Sequence, residues 1–286
     1  MAYLLYLLLS SVCALVVAHL LKHTEVKKLR TLNTLTVNYL VAALVAFLVG
    51  FSETGSQLFR LPVYYVLLFC MAVGFFFISN FMAYSKSVHA NGMGISIAAM
   101  RLSLLVPVLL SVYVYGESLE WHQVTGIILV FGAFLLLVPL KKSLKIGNIN
   151  VSWLLLIVFL LTGFADASLK IYNEELSRSL NELTFMGWIY SGAFCIGVLL
   201  SVLRQGPMFT RQEAKMGALL GIPNLYSAVF LIYALEGISG AIAFPVVNIL
   251  NVLGGTLLGV LLWKDEVTVR QWGGIAVAIT AIVLLV

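Results

Sequence analysis

Charge is what this chain has least of. Asp, Glu, Lys and Arg make up 10% of its 286 residues, against about 25% in a soluble domain. So little polar surface cannot cover a globule in water, which excludes a water-soluble fold. Cysteine is scarce too. Cys13, Cys70 and Cys195 lie far apart in apolar stretches, with neither metal-ligand spacing nor the pattern of a disulfide framework. They are expected to be small buried hydrophobes. No zinc-binding His/Glu motif, phosphate-cradling glycine loop or nucleophile beside a base is present. The chain therefore does not read as an enzyme, needs no cofactor and carries no metal, and it cannot pump by hydrolysing ATP. The net charge of +5 reflects Lys and Arg placed for topological reasons and not nucleic-acid binding. The N-terminus has no basic stretch ahead of its apolar run, so it reads as a retained first helix and not a signal peptide.

What is abundant is hydrophobic length. A membrane-spanning helix needs about 20 mostly apolar residues. Ten segments meet that rule, at 2–21, 33–51, 62–84, 92–115, 121–140, 151–170, 183–203, 214–235, 240–263 and 268–286. Barrel strands would be about 10 residues long with alternating polarity, so these are helices. The expected fold is an all-α polytopic membrane protein of ten transmembrane helices.

A repeat organises them. Slid by 148 residues without a gap, Gly92–Val138 falls on Gly240–Val286. Glu117 then meets Asp265, Gln123 meets Gln271 and Gly126 meets Gly274. Further back, Lys22 meets Lys170 and Asn33 meets Asn181. The polar matches carry the weight, because leucine matches are common. The expected division is a first repeat over 1–140 and a second over 149–286, in one integral membrane domain. Each repeat has five helices. Five is odd, so the two enter the membrane in opposite directions, an arrangement associated with alternating access about a midplane site.

Lys and Arg set the expected orientation. Lys22, Lys27, Lys28, Arg30, Lys86, Lys141, Lys142, Lys145, Arg204, Arg211, Lys215, Lys264 and Arg270 fall in the loops of one side, and Arg60, Lys170 and Arg178 on the other. The richer side is cytoplasmic by this rule, with both termini outside. The expected location is a bacterial inner membrane. Trp121, Trp153, Trp263 and Trp272 stand at segment ends, as interfacial tryptophans do.

Ionisable groups inside a membrane are costly, from about 2.5–3.5 kcal/mol for Arg, Lys or Asp at a helix centre. They are therefore the first functional candidates. Arg101 lies about nine residues into the fourth segment, or ~13 Å at 1.5 Å per residue. Its guanidinium fork suits a carboxylate or phosphate; a buried fork satisfied by helix carbonyls is the structural alternative. Asn248 and Asn251 are close along the ninth segment, and Asn251 is the counterpart of Ser103. Together with Arg101 these residues form the expected substrate layer. Asn80 and Tyr84, four apart on the third segment, and His19 on the first complete the substrate-binding set, with helix packing as the competing reading. Asp166 and Lys170 share a helix face and are expected to be either a coupling pair, with Asp166 protonatable, or an intrahelical ion pair. Glycine runs are expected to serve packing first, with Gly254-Gly255 opposite Val106-Pro107 as the best hinge.

Two five-helix halves resemble the drug/metabolite transporter superfamily, and its EamA-type members in particular. The likeness rests on a glycine-bearing fourth helix that ends in Tyr115-Gly116-Glu117-Ser118-Leu119, followed by Gln123 and Gly126. The second copy reads Trp263-Lys264-Asp265-Glu266-Val267, then Gln271 and Gly274. The resemblance implies a carrier with a central cavity lined by helices 1, 3, 4, 6, 8 and 9, and peripheral helices 5 and 10. Cation-exporting relatives carry a carboxylate in the first helix. Here that helix has Ser10, Ser11 and His19 instead, which argues against cation export. The function expected is secondary transport of a small polar metabolite, an amino acid or organic anion, by rocking of the two halves, with proton coupling if Asp166 serves it. A flippase or accessory protein for a lipid-linked head group is the alternative. The expected partners are a small-molecule substrate and membrane lipid, with a homodimer as the candidate assembly.

Overall fold

The computed structural model of the protein describes residues 2–54, 64–91, 93–137, 152–203, 209–263 and 268–286. Those residues are almost wholly helical and contain no strand. In chain order the helices are α1 (Ala2–Val26), α2 (Thr31–Thr54), α3 (Tyr64–Asn91), α4, α5 (Trp121–Leu137), α6 (Ser152–Ile171), α7 (Glu182–Leu203), α8 (Arg211–Leu235), α9 (Gly240–Trp263) and α10 (Val269–Leu285). Eight are long and apolar enough to span a membrane, while α5 and α10 are shorter apolar helices. The fold is that of a multi-pass membrane protein. The repeat boundary, at 140–149, lies outside the described residues.

The fourth segment, expected as one helix over 92–115, comes in three pieces. These are Met93–Leu102, Leu105–Leu109 and a π-helical turn over Leu110–Val114; together they are α4. Pro107 explains the break. It has no N–H for the carbonyl of Ser103, and its ring crowds that carbonyl. Ser103 O turns to the N–H of Val106 instead, at 2.9 Å. α9 is continuous although it contains Pro245. That proline sits in the second turn, where it forgoes one backbone hydrogen bond, to the carbonyl of Ala241, without ending the helix.

The polar matches of the repeat have local work to do. Gln123 Oε1 accepts from the N–H of Glu120 at 3.0 Å, and Gln271 Oε1 accepts from that of Thr268 at 2.9 Å. Each closes the first turn of its helix, α10 through a full capping box. Asn181 caps α7 by accepting from Leu183 N at 2.9 Å.

Lipid gives helices no hydrophobic incentive to associate, so close approach matters. At the crossing of α5 and α10, a Cβ on Gly126 would lie 2.9 Å from Leu285, and one on Gly274 would lie 2.8 Å from Leu137. The two contacts exchange under the 148-residue offset. The start of each helix meets the end of the other, so these counterpart helices run antiparallel. The same exchange relates α6 on α4 to α1 on α9. Gly163 takes Val106 in one crossing, and Gly254 takes Leu15 in the other; Leu15 is the counterpart of Gly163, and Val106 that of Gly254. The crossing point is kept while knob and hole trade helices.

Most packing is between the halves. α1 packs on α8 and α9, and α6 packs on α3 and α4. α2 and α7 cross at the centre, where Tyr39 and Tyr190 are wholly buried and stack 5.7 Å apart. Cysteine departs from expectation. Only Cys70 is buried; Cys13 is partly exposed and Cys195 exposed. An exposed Cys195 is tolerable on a helix whose outer face meets lipid rather than water.

Candidate functional site

Arg101 lies in the last turn of the first piece of α4. The break that Pro107 causes thus puts the cation beside the carbonyl end of a short helix, where the macrodipole favours positive charge. A discontinuous helix whose end meets a charge is a recurrent transporter device. From there Arg101 Nη1 donates to Asn248 Oδ1 on α9 at 2.9 Å. Asn248 is held in turn by its Nδ2, which donates to Phe244 O at 3.1 Å. Arg101 Nε is buried and has no hydrogen-bond partner among the described residues.

Two further helices complete the layer. Asp166 on α6 and Tyr84 on α3 lie within electrostatic range of Arg101. Neither Asp166 nor any other described carboxylate comes within ion-pair distance of it. One turn before Asp166, Thr162 Oγ1 donates to Asn80 Oδ1 at 2.9 Å and joins α6 to α3. The layer therefore holds one cation, one separated carboxylate, two amides, a phenol and a hydroxyl, drawn from α3, α4, α6 and α9.

A second polar cluster sits at the end of the molecule where α4 finishes and α9 begins. Gly116 turns the chain with φ +67°, a left-handed conformation that costs glycine little. The turn delivers Glu117 to the first residues of α9. Its carboxylate accepts from Ser239 Oγ at 2.6 Å and from the N–H groups of Gly240 and Ala241 at 2.9 Å each. An anion here satisfies orphan amides at the positive end of the helix. Lys170 on α6 donates to the same carboxylate at 2.6 Å and pairs with Glu174, with its ammonium above the Tyr115 ring. Burial alone would raise the Glu117 pKa; donors from Lys170, Ser239, Ala241 and Gly240 outweigh it and hold the carboxyl below its ordinary range.

The family model of the EamA-like transporter family matches residues 1–138 and again 152–286. This chain belongs to the EamA-like transporter family. It is a membrane transporter of the drug/metabolite type. An uncharacterised protein of Haemophilus influenzae is 25% identical over 291 residues, covering 98% of this chain and 96% of the relative. A crystal structure 14% identical to this EamA-like chain superposes with a TM-score of 0.73 over 99% of the chain and 94% of that structure, which speaks for the fold alone.

Of the residues singled out in this EamA-like transporter from sequence, Arg101, Asn248, Asp166 and Tyr84 converge, and Asn80 joins them through Thr162. Ser103 does not. Its hydroxyl donates to Met100 O at 2.5 Å within α4, and the residue is buried where the bare Gly163 lets α6 approach its carbonyl. Asn251 keeps a buried Oδ1 without a partner among the described residues. His19 stands edge-on to His23, ring centroids 4.7 Å apart. Lys170 is not the partner of Asp166. It lies one turn further on and is drawn to Glu117 and Glu174. In the sequence Glu117 stands out only through the repeat and the family motif. Its signal was the small-residue stretch Ser239-Gly240-Ala241, which offers bare amides to an acid.

Proposed function

We propose that this protein is a secondary transporter of a small carboxylate-bearing metabolite, an amino acid or organic anion, working by alternating access around Arg101. One observation carries the reading. An intramembrane guanidinium meets only a neutral amide, keeps a buried N–H without a partner, and has no carboxylate in ion-pair contact among the described residues. A charge so placed is expensive, and an incoming carboxylate would complete its fork. Asp166, near but apart, suits the ammonium of a zwitterion or a coupling proton. The charge asymmetry of the loops supports a reading in which both termini face outward from a bacterial inner membrane.

The experiment is a metabolite panel read by thermal shift on purified protein in nanodiscs. Carboxylate-bearing metabolites are expected to raise the melting temperature of the wild type, and Arg101→Ala to lose about 10- to 100-fold in apparent affinity, the size of a charged hydrogen-bonded contact. A panel in which only cationic or uncharged compounds stabilise the protein overturns the reading. So does an Arg101→Ala protein with unchanged response.

A further inference from the structure

The bodies that touch in this protein are not its two sequence halves. α1, α2, α8 and α9 pack on one another, and so do α3, α4, α6 and α7. The offset exchanges these two groups. Between them run the α2·α7 crossing and the α4·α9 seam. That seam is uneven. α9 packs on the Leu105–Leu109 piece and the π turn of α4, whereas the Met93–Leu102 piece packs on α3 and α6. At the closed end Ser111 is wholly buried, and a Cβ on Gly240 would lie 2.3 Å from its Oγ. Towards the other end, a Cβ on Gly255 would meet nothing within 4 Å. Gly255 is seven residues beyond Asn248, so it shares the helix face that meets Arg101.

What crosses the seam at the closed end is Glu117. It belongs to the turn after α4, and its three hydrogen bonds to Ser239, Gly240 and Ala241 go to the opposite body. On its own side Lys170, 2% exposed, fixes the carboxylate. We propose that Glu117 is a latch that holds the α1-α2-α8-α9 body against the α3-α4-α6-α7 body at this mouth, and that its release opens this mouth while the other closes. Glu117 is a positioning residue and touches no substrate. The proposal rests on the alternating-access reading above, but its test needs no substrate, so the two can fail separately.

The test is thiol labelling of the full chain in nanodiscs, where a soluble maleimide reaches both faces. Cys13, Cys70 and Cys195 are first replaced by alanine. Ser111→Cys then reports the latched mouth and Gly255→Cys the opposite one. Ser111 Oγ has no hydrogen-bond partner among the described residues, so a thiol there breaks no bond, and Gly255 has room for a side chain. In the otherwise unaltered protein, Cys at 111 is expected to label slowly and Cys at 255 quickly. Glu117→Gln is expected to raise the rate at 111 about tenfold, the effect of losing a charged hydrogen-bonding group, and to lower the rate at 255. A rise at both sites means general loosening and overturns the latch. So does a rise at 111 alone, which is local fraying, or no change at either. Should Glu117→Gln fail to fold, Ser239→Ala removes one of the three bonds and leaves the Lys170 pair. It is expected to move both reporters in the same opposite directions by a smaller factor, and unchanged rates there overturn the proposal as well.

Discussion

The α5·α10 crossing and the α4·α9 pair are both made of helices that the 148-residue offset exchanges, yet only the first keeps that symmetry in its side chains. At α5·α10 glycine faces leucine twice, with the same spacing. In the second pair, α4 is broken at Ser103–Leu104 and carries Arg101, while α9 is continuous. The counterpart of Arg101 is Ile249, and that of Asp166 on α6 is Ala18. A scaffold asks only that volumes fit, so duplication preserves it. A small substrate has no twofold axis of its own, and a site that grips one gains by placing a charge once. Both charges of the central layer stand opposite an apolar counterpart, so asymmetry picks out this candidate site more sharply than polarity does. Polarity alone also picks out Ser103, which serves its own helix.

The strongest way to break that contrast is to restore the symmetry. Arg101→Ile gives α4 the residue type that α9 has at the equivalent place. Carboxylate ligands are expected to lose all measurable stabilisation of this variant. Yet the apo protein should be no less stable, because the membrane cost of the cation, about 2.5–3.5 kcal/mol or more, is removed along with a single bond to an amide. Thermal melts with and without ligand separate the two effects. A variant that unfolds instead would make Arg101 a structural fork, and the asymmetry of α4 would have nothing to do with substrate.

Asp166→Asn tests the second unpaired charge and should have a smaller effect. Carboxylate binding in the melts should survive within about tenfold, since Asp166 makes no ion-pair contact with Arg101. Uptake into liposomes should continue without responding to an imposed pH gradient, because an amide cannot carry the proton. Full retention of the gradient response would leave Asp166 a structural group.

The helices, the repeat and the family were legible in the sequence because each rests on patterns many residues long. A ten-helix chain follows from apolar length, and antiparallel halves follow from the odd count. The candidate site was legible only where a rare residue sits in a costly place. Arg101 and Asp166 stand out on energy alone, and they do converge. What stayed hidden depended on partners distant in the chain. Lys170 looks like the i,i+4 partner of Asp166, but an acid 53 positions earlier claims it. The split of α4 was half visible. Pro107 marks a freed carbonyl, but whether a helix closes over that defect depends on what packs against it, and here Gly163 brings α6 hard against the break.

The smallest effects belong to the symmetric crossing, and they sharpen the comparison by being equal. Gly126→Leu and Gly274→Leu each force a side chain into the leucine of the partner helix, at Leu285 and Leu137. Overpacking of this kind costs roughly 1–3 kcal/mol. The two variants are expected to lose stability by the same amount within about 0.5 kcal/mol, and to leave ligand affinity unchanged. Gly132, on the same α5 helix, has nothing within 4 Å of an added Cβ. There Gly132→Ala should stabilise by up to about 1 kcal/mol, through helix propensity alone. Melting curves of the three proteins in one lipid decide the matter. Equal losses at 126 and 274 with a gain at 132 mean that the crossing is held by matched volumes on a twofold axis. Unequal losses mean that the duplication has already drifted at its periphery, and that Arg101 and Asp166 are only the most visible of many departures.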